Sequence, residues 1–482
     1  MYDPELNSPG CWFVAPYAGL NGEQSDQSWI GPFIYDGRNA ELIWSGAAMF
    51  NSNVADFRIS NVNGEPLITL FANNGINVLN NDFTMRMHLN PEEEGRLNTH
   101  ELSFVDNGTR AIFIKNGRQN APLKELQDMG YSGECIADFD GFHELDVTRD
   151  GWPRVYDWSS YNRIGLNEST LIPAQCKGWD YMHANAVDKT PEGDYLLSVR
   201  HTDTINKLSG QDGSILWRLG GAASDFRLDG LVFSRQHDVK WRSRNDTHTL
   251  ISLLGNAKGE DLQLPTHEFS RGLLVAIDDS SMVATLEAHF DHPNSHSYAP
   301  RRGNYQLLSN RNVFMGWSER AMQSEYTPEG KLIWEAVLAI DWMGSYRNYK
   351  HDFVSKPTEP PIAVSRAIGA FSPTTIVHVS WNGATEVVEW RLFQTLANGT
   401  LSALVATKRK LGFETKLSFD GYAAYIVVEA VNVHGNAIRN TSIVRTVAEP
   451  GIPATIIEEG NQWIPPVLED TLIFLARHWR AV

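Results

Sequence analysis

The chain has 482 residues, 42% of them hydrophobic, which is enough for two or three domains with real cores. Charged residues make up 21%, which excludes extensive disorder, and the formal charge of −17 comes with no basic block. Nucleic acid and anionic membranes are therefore not expected partners, because both need clustered Lys and Arg.

Fifteen Trp and an aromatic share of 11% suit pleated, half-buried surfaces, so an all-β protein is expected. The start, MYDPELNSPGCWF, reads as a Met placed before a mature N-terminus from which a leader was removed. Three segments then share one pattern: IYDGRNAELIWSG (34–46), LSGQDGSILWRLG (208–220) and YTPEGKLIWEAV (326–337). Each has a Gly-bearing turn followed by a short alternating strand that ends on Trp44, Trp217 or Trp334. A second pattern, short apolar strands introduced by polar turns, recurs in GEPLITLF (64–71), EGDYLLSV (192–199), THTLISLL (247–254) and NRNVFMGW (310–317). Short strands at regular spacing with almost no helical periodicity predict an all-β repeat architecture. A β-propeller of five or six blades over residues 1–352, with a central funnel, fits best, because radial repetition hides strand edges without helices.

KPTEPPIAV (356–364) is a Pro-rich linker. Residues 353–450 then carry strands with a turn signal every few residues and predict an immunoglobulin or fibronectin-like sandwich. The tail, 451–482, predicts one short amphipathic helix docking back.

Compartment is constrained by two features. Asn-x-Ser/Thr acceptors for glycosylation occur at Asn107, Asn167, Asn245, Asn398 and Asn440, mostly in turn-like polar contexts. Of the three cysteines, Cys135 and Cys176 lie in one region and are the expected disulfide, leaving Cys11 spare; three buried free thiols are the alternative. A secreted or lumenal protein is expected, and no run of 18 apolar residues predicts a membrane span.

The stretch WDYMHANAVDKTPEGDYLLSVRHTDTINKLSGQDGSILWRLGG, followed by FSRQHDVKW and ISLLGNA, resembles the arylsulfotransferase-like family in its fungal branch. The resemblance runs from SPGCWFVAPY (8–17) through FHELDVT (142–148) and SRGLLVAID (270–278) to NRNVFMGWSERAMQSEYTPEGKLIWEA. H-x-N, S-x-R-H-T-D-T-I, L-W-R-L-G-G and Q-H-D in that order are specific together, and weak singly. The resemblance implies a propeller with a central funnel. It also implies, from bacterial members, sulfuryl transfer between phenols through a sulfohistidine. The fungal branch further includes natural-product enzymes that join a tropolone quinone methide to a humulene-type sesquiterpene by hetero-Diels–Alder cycloaddition.

Among the residues, His183 of H-x-N and His237 of Q-H-D are expected at the starts of successive inner strands, facing one pocket, with His292 or His296 at the next entry. An isolated His in a β protein is ordinarily structural; the ordered placement of these three argues for a shared site. Arg200 and Arg271 are the expected guanidinium groups for an oxygen pair, and Arg271 joins His183, His237 and His296 as catalytic. Gln236, Tyr298 and Trp317 are expected, with Arg200, to touch substrate. His201 reads as a strand tether, and Asp180, Asp188, Asp203 and Asp238 as turn or tether carboxylates.

No metal or other cofactor is expected. There is no close His-x-His or His-x3-His pair with a carboxylate on one predicted strand, and His292-x3-His296 brackets a Pro-Asn turn. No phosphate loop, nucleophile elbow or dinucleotide fingerprint occurs. The first expectation, which the resemblance to the fungal branch implies, is a cofactor-free cycloaddition of aromatic and terpenoid small molecules in a water-poor aromatic funnel. Sulfuryl transfer through a nucleophilic His is the alternative, and a non-catalytic binding propeller is the third class.

Overall fold

The computed structural model describes residues 2–18, 31–50, 52–90, 96–173, 176–259, 264–294, 298–339, 343–370 and 372–452. His296 and the expected tail helix lie outside the described residues. The chain divides into two units, Met1–Phe353 and Val354–Val482.

The first unit is all-β and propeller-like. Its described residues form six larger sheets, one after another along the chain, five antiparallel sheets of four strands and one of five whose outermost strand, Arg227–Asp229, pairs in parallel. In each, one edge strand is turned inward, and the segments that enter these six strands carry most of the side chains of the site described below. The six strands are β1 (Ala55–Val62), β2 (Arg96–Val105), β3 (Ala184–Lys189), β4 (His237–Arg244), β5 (Asn304–Leu307) and β6 (Tyr349–His351). β1 lies beside β2, β2 beside β3, β3 beside β4, β4 beside β5, and β6 beside β1. Asn304 Nδ2 and Gln306 Nε2 donate to the Asn348 and Lys350 carbonyls at 2.7 Å each and join β5 to β6, so the ring closes. The closing sheet is built from both ends of the unit: β6 pairs with Cys11–Val14, register Cys11 opposite His351.

The sequence pattern explains the sheets. Trp44, Trp217 and Trp334 sit on the outermost strands of their sheets, yet each is buried. Each belongs to an apolar cluster that its sheet shares with a neighbour, as when Trp44 stacks on Phe83 at 4.5 Å. The signature motifs are partly inter-sheet staples. Asn185 of H-x-N donates Nδ2 to the Gln236 carbonyl at 2.7 Å, tying β3 to the approach of β4. Asp238 of Q-H-D accepts the Tyr305 N–H at 2.8 Å, tying β4 to β5. The paired glycines of L-W-R-L-G-G, Gly220 and Gly221, have φ of +85° and +66°, and a Cβ on either would collide with the Asp203 or Thr202 carbonyl. Only glycine permits that close crossing.

The second unit has two sheets, one containing Ile362–Ile368, Thr374–Ser380 and Glu414–Asp420, the other Glu389–Thr395, Leu401–Arg409 and Tyr425–Val431. They share one core, in which Val377, Val379 and Leu417 meet Trp390, Leu392, Ile426 and Val428.

Candidate functional site

At one end of the ring the inner strands begin, and there the titratable side chains gather. His183 immediately precedes β3 and has φ of +55°, a left-handed conformation that is strained for a residue with a Cβ. The strain is held by the turn Arg200–Thr202, which folds back so that the Arg200 and His201 N–H groups donate to the His183 and Met182 carbonyls at 3.0 and 2.9 Å. The His183 ring is thereby presented to Asp180, whose Oδ2 lies 2.6 Å from Nδ1. A carboxylate only accepts, so Nδ1 carries a proton, and in the neutral ring the lone pair is on Nε2. Nε2 has no hydrogen-bond partner among the described residues, and the side chain is 23% exposed.

Two further imidazoles flank it. The His201 ring lies 4.9 Å from His183 and the His100 ring, from β2, meets it edge-on at 4.7 Å. His201 is fixed by an Nδ1–H bond to the Asp180 carbonyl at 2.7 Å and by Arg200 Nη1 donating to Nε2 at 2.6 Å. Burial, reinforced by His183, brings its pKa down to about 3, and burial likewise holds His100 well below its ordinary value. Burial pushes Asp180 up, but His183, His201 and His100 outweigh it and hold the carboxyl below the usual range. The result is one ionised carboxylate beside His201 and His100, two imidazoles that burial keeps neutral.

Tyr346 and Arg302 complete the cluster. The Tyr346 ring packs against His100 at 5.6 Å, and its hydroxyl donates to the His100 carbonyl at 2.7 Å. The Arg302 guanidinium lies over the Tyr17 ring at 5.4 Å, close enough to His100 to lower its pKa. Arg302 Nη1 is buried with no hydrogen-bond partner among the described residues. A buried cationic donor left over in this way is suited to an incoming oxyanion.

Beneath this cluster the ring is filled by charge. Arg347 is fully buried and faces Glu101 at 3.1 Å, Asp56 at 3.4 Å and Asp238 at 3.5 Å, with Nη2 donating to the Asn185 carbonyl at 3.2 Å. Burial opposes ionisation of Glu101, but Arg347, Lys240 and Arg58 overcome it and keep the carboxylate charged.

The expected site residues separate into two groups. His183 and Arg200 lie in the cluster. His237 stands at the start of β4 as expected, but both ring nitrogens are engaged: Nδ1 with Asn256 Oδ1 at 2.8 Å, and Nε2 accepting the Arg302 N–H at 3.0 Å. It is a positioning residue for Arg302, which itself has φ of +61°. Gln236, expected at substrate, is buried and donates Nε2 to the Thr204 and Val199 carbonyls at 2.8 and 3.1 Å, a brace inside the sheet. Trp317 is a core residue, fully buried, its indole N–H given to Ser324 Oγ at 2.6 Å and its ring set against His292 at 4.8 Å. Arg271 begins a strand two removed from β4 and donates Nη2 to the Val232 carbonyl at 3.3 Å, away from His183. Tyr298 gives its hydroxyl to the His267 carbonyl at 3.2 Å.

His100, Arg302 and Tyr346 carry no spacing signal and were missed. Asp180, expected as a turn carboxylate, is the partner of His183. Against the expectation of no clustered ligands, Asp180, His183 and His201 bring ligand atoms within 4.8 Å of one another. A cation there would have to displace Arg200 from His201 Nε2 and sit beside that guanidinium, so the set is poorly matched to a metal.

Cys135 and Cys176 form a disulfide and Cys11 is a buried free thiol. The disulfide flanks Ile136–Asp138 and Lys177–Trp179, paired strands of a small sheet that runs directly into Asp180. Asn107, Asn167, Asn245, Asn398 and Asn440 are all exposed. Among the described residues no helix is long and apolar enough to cross a membrane.

Solved structures of similar shape include a protein of unknown function from Bacteroides caccae, 10% identical with a TM-score of 0.42, covering 71% of this chain and 99% of that one. Hydrazine synthase from Kuenenia stuttgartiensis is 9% identical with a TM-score of 0.36, covering 68% and 88%. AztD from Citrobacter koseri, in its apo form, is 10% identical with a TM-score of 0.29, covering 71% and 98%. No curated protein matches the sequence. The family described as Arylsulfotransferase (ASST) matches residues 60–339, a span that contains His100, Asp180, His183, His201, His237 and Arg302. With more than half its length matched, the chain belongs to the arylsulfotransferase (ASST) family.

Proposed function

We propose that the protein transfers a sulfuryl group between small phenolic molecules, with His183 as the nucleophile. One observation carries this reading: the Asp180 carboxylate, 2.6 Å from Nδ1, holds that proton and leaves Nε2 as a lone-pair donor. Nε2 attacks the sulfur of an aryl sulfate; the N–S bond forms as the aryl O–S bond breaks, and the phenolate leaves with the electron pair. The imidazole ring becomes cationic, and Asp180 stabilises it. In the second half-reaction an acceptor phenol loses its proton, its oxygen attacks the sulfur, and the N–S electron pair returns to Nε2. Arg302, with its unspent buried Nη1, is the group suited to the sulfuryl oxygens. The acceptor's proton passes to water, because burial holds His100 neutral and weakly basic.

This reverses the order of preference taken from the sequence. A cycloaddition needs apolar walls and no nucleophile, whereas the groups around His183 are imidazole, carboxylate and guanidinium. The fold reading that goes with it is a six-bladed propeller followed by an immunoglobulin-like sandwich, supported by the closed ring of inner strands and the shared core of the second unit. Secretion into an oxidising compartment is supported by the Cys135–Cys176 disulfide, and glycosylation by the exposure of all five acceptors.

The test is incubation with p-nitrophenyl sulfate and phenol. Nitrophenol release that is lost in His183→Ala, with a sulfuryl adduct mapped to His183 by peptide mass analysis, is the expected result. Release that persists in His183→Ala overturns the assignment.

A further inference from the structure

The opposite end of the ring holds a cavity of about 320 Å³ to which all six inner strands contribute. The fully buried Arg347 cluster fills the axis above it, so it is separate from the His183 site. Three cationic heads, Arg58, Lys240 and Arg242, face this cavity together with one carboxylate, Asp188.

Their charges are not equally matched. Arg58 is paired with Asp56 at 3.2 Å and Glu101 at 3.5 Å, and Lys240 with Glu101 at 2.9 Å. Arg242 has no carboxylate within ion-pair distance among the described residues. Its bonds go to neutral acceptors, Ser252 Oγ at 2.7 Å and the Tyr305 carbonyl at 2.9 Å, and its guanidinium lies over the Tyr305 ring at 5.4 Å. Asp188 is already engaged, accepting the Trp241 N–H at 2.8 Å. Asp238 and Asp188 act on it only from beyond ion-pair distance, and a half-buried guanidinium with no carboxylate in direct contact keeps donor capacity for an anion. Burial lowers the pKa of Arg242 and raises that of Asp188, and in each case the opposite charges nearby offset the desolvation only in part. The rest of the lining mixes the rings of Phe104, Trp241 and Tyr349 with the polar Ser60, Ser103 and Gln306, and Trp241 also packs in part against the neighbouring apolar cluster. The volume lies at the low end for ligand pockets, which suits a single ring and not a large natural product.

We propose that this cavity is a second binding site, for a one-ring organic oxyanion whose head meets Arg242 and Lys240 and whose ring packs against Trp241. It is independent of sulfuryl transfer and needs no covalent chemistry.

Calorimetric titration of the His183→Ala protein with benzenesulfonate tests it, because turnover is removed and binding alone is read. Two equivalents are expected to bind, one of them at the His183 site through Arg302, and Arg242→Gln is expected to weaken only the other, by about ten- to a hundredfold, the value of a charge-assisted hydrogen bond, while Arg302→Gln weakens only the first. Trp241→Ala, which keeps both cations, is expected to weaken benzenesulfonate but not inorganic sulfate. Affinity unchanged in Arg242→Gln overturns the site. Inorganic sulfate binding as tightly as benzenesulfonate overturns the aromatic half of the proposal.

Discussion

Asp180→Asn isolates the charge of the Asp180–His183 pair from its geometry. The amide oxygen still accepts the Nδ1 proton at the 2.6 Å position, and the Asp180 carbonyl still accepts from His201. What disappears is the negative charge beside an imidazole that becomes cationic when Nε2 bonds to sulfur. Two unit charges about 4 Å apart at an effective dielectric near 20 attract by about 4 kcal/mol. The Asp180 side chain is 38% exposed, so that figure must be discounted for solvent screening. About 1–3 kcal/mol survives, comparable to a hydrogen bond to a charged group. At 1.36 kcal/mol per factor of ten, kcat for nitrophenol release should fall by roughly 5–150-fold, with KM little changed. The measurement is steady-state release from p-nitrophenyl sulfate with saturating phenol, run beside His183→Ala as the zero. A variant within about twofold of wild type in kcat would show that charge on Asp180 does not reach the transition state, and the dyad reasoning would fail.

Other consequences can be measured separately. Burial brings His201 and His351 down to about 3 and His143 and His292 to about 4. Since unfolded histidine titrates near 6.5, their contributions are complete above about pH 6.5 and lost as pH falls toward 4 and 3, each with a slope of up to about 1.4 kcal/mol per pH unit. Urea midpoints should therefore drop between pH 7 and pH 5, and equal midpoints would contradict the assignment. Arg347→Met leaves the buried Asp238 without its ion pair and takes one cation from Glu101 and Asp56, and should cost about 3–5 kcal/mol in a denaturation assay; a loss under about 1 kcal/mol would mean that the cluster is solvated. His237→Ala releases the Arg302 main chain, so KM for aryl sulfate should rise by about tenfold while kcat falls less than in His183→Ala. A loss of kcat equal to that of His183→Ala would make His237 catalytic. Gly221→Ala places a Cβ against the Thr202 carbonyl at φ of +66° and should destabilise by about 1–3 kcal/mol, read as a lower melting temperature.

The parts of this fold that were legible in the sequence are the local ones. Turn, alternation and terminal Trp are contiguous, so the outer strands bearing Trp44, Trp217 and Trp334 could be read directly. The closing strand, only Tyr349–His351, is too short to have a period and is defined by its partner Cys11–Val14 at the other end of the unit. At the site, H-x-N drew attention to His183 because the motif is compact. His100 lies in LNTHEL with no diagnostic spacing, and becomes relevant only because β2 is adjacent to β3. Whether an imidazole is free is also invisible locally: His237 is occupied by Asn256 and Arg302, 19 and 65 residues away. Arg271, expected to bind an oxygen pair beside His183, begins a strand two removed from the inner one, a placement that depends on strand order within the sheet and not on local sequence.

The buried charge layer has a consequence for the order of events. Arg347, Glu101, Asp56 and Asp238 fill the ring below His183, each of them buried, so no substrate can reach Nε2 from the far end. Donor and acceptor must therefore approach from the end where the inner strands begin. A covalent sulfohistidine lets one opening serve both: the first phenol departs before the second enters, and the sulfuryl group stays on Nε2 meanwhile. Initial rates at several fixed acceptor concentrations should then give parallel double-reciprocal lines. Intersecting lines would require both phenols to be bound together, and would favour direct transfer with His183 as a base.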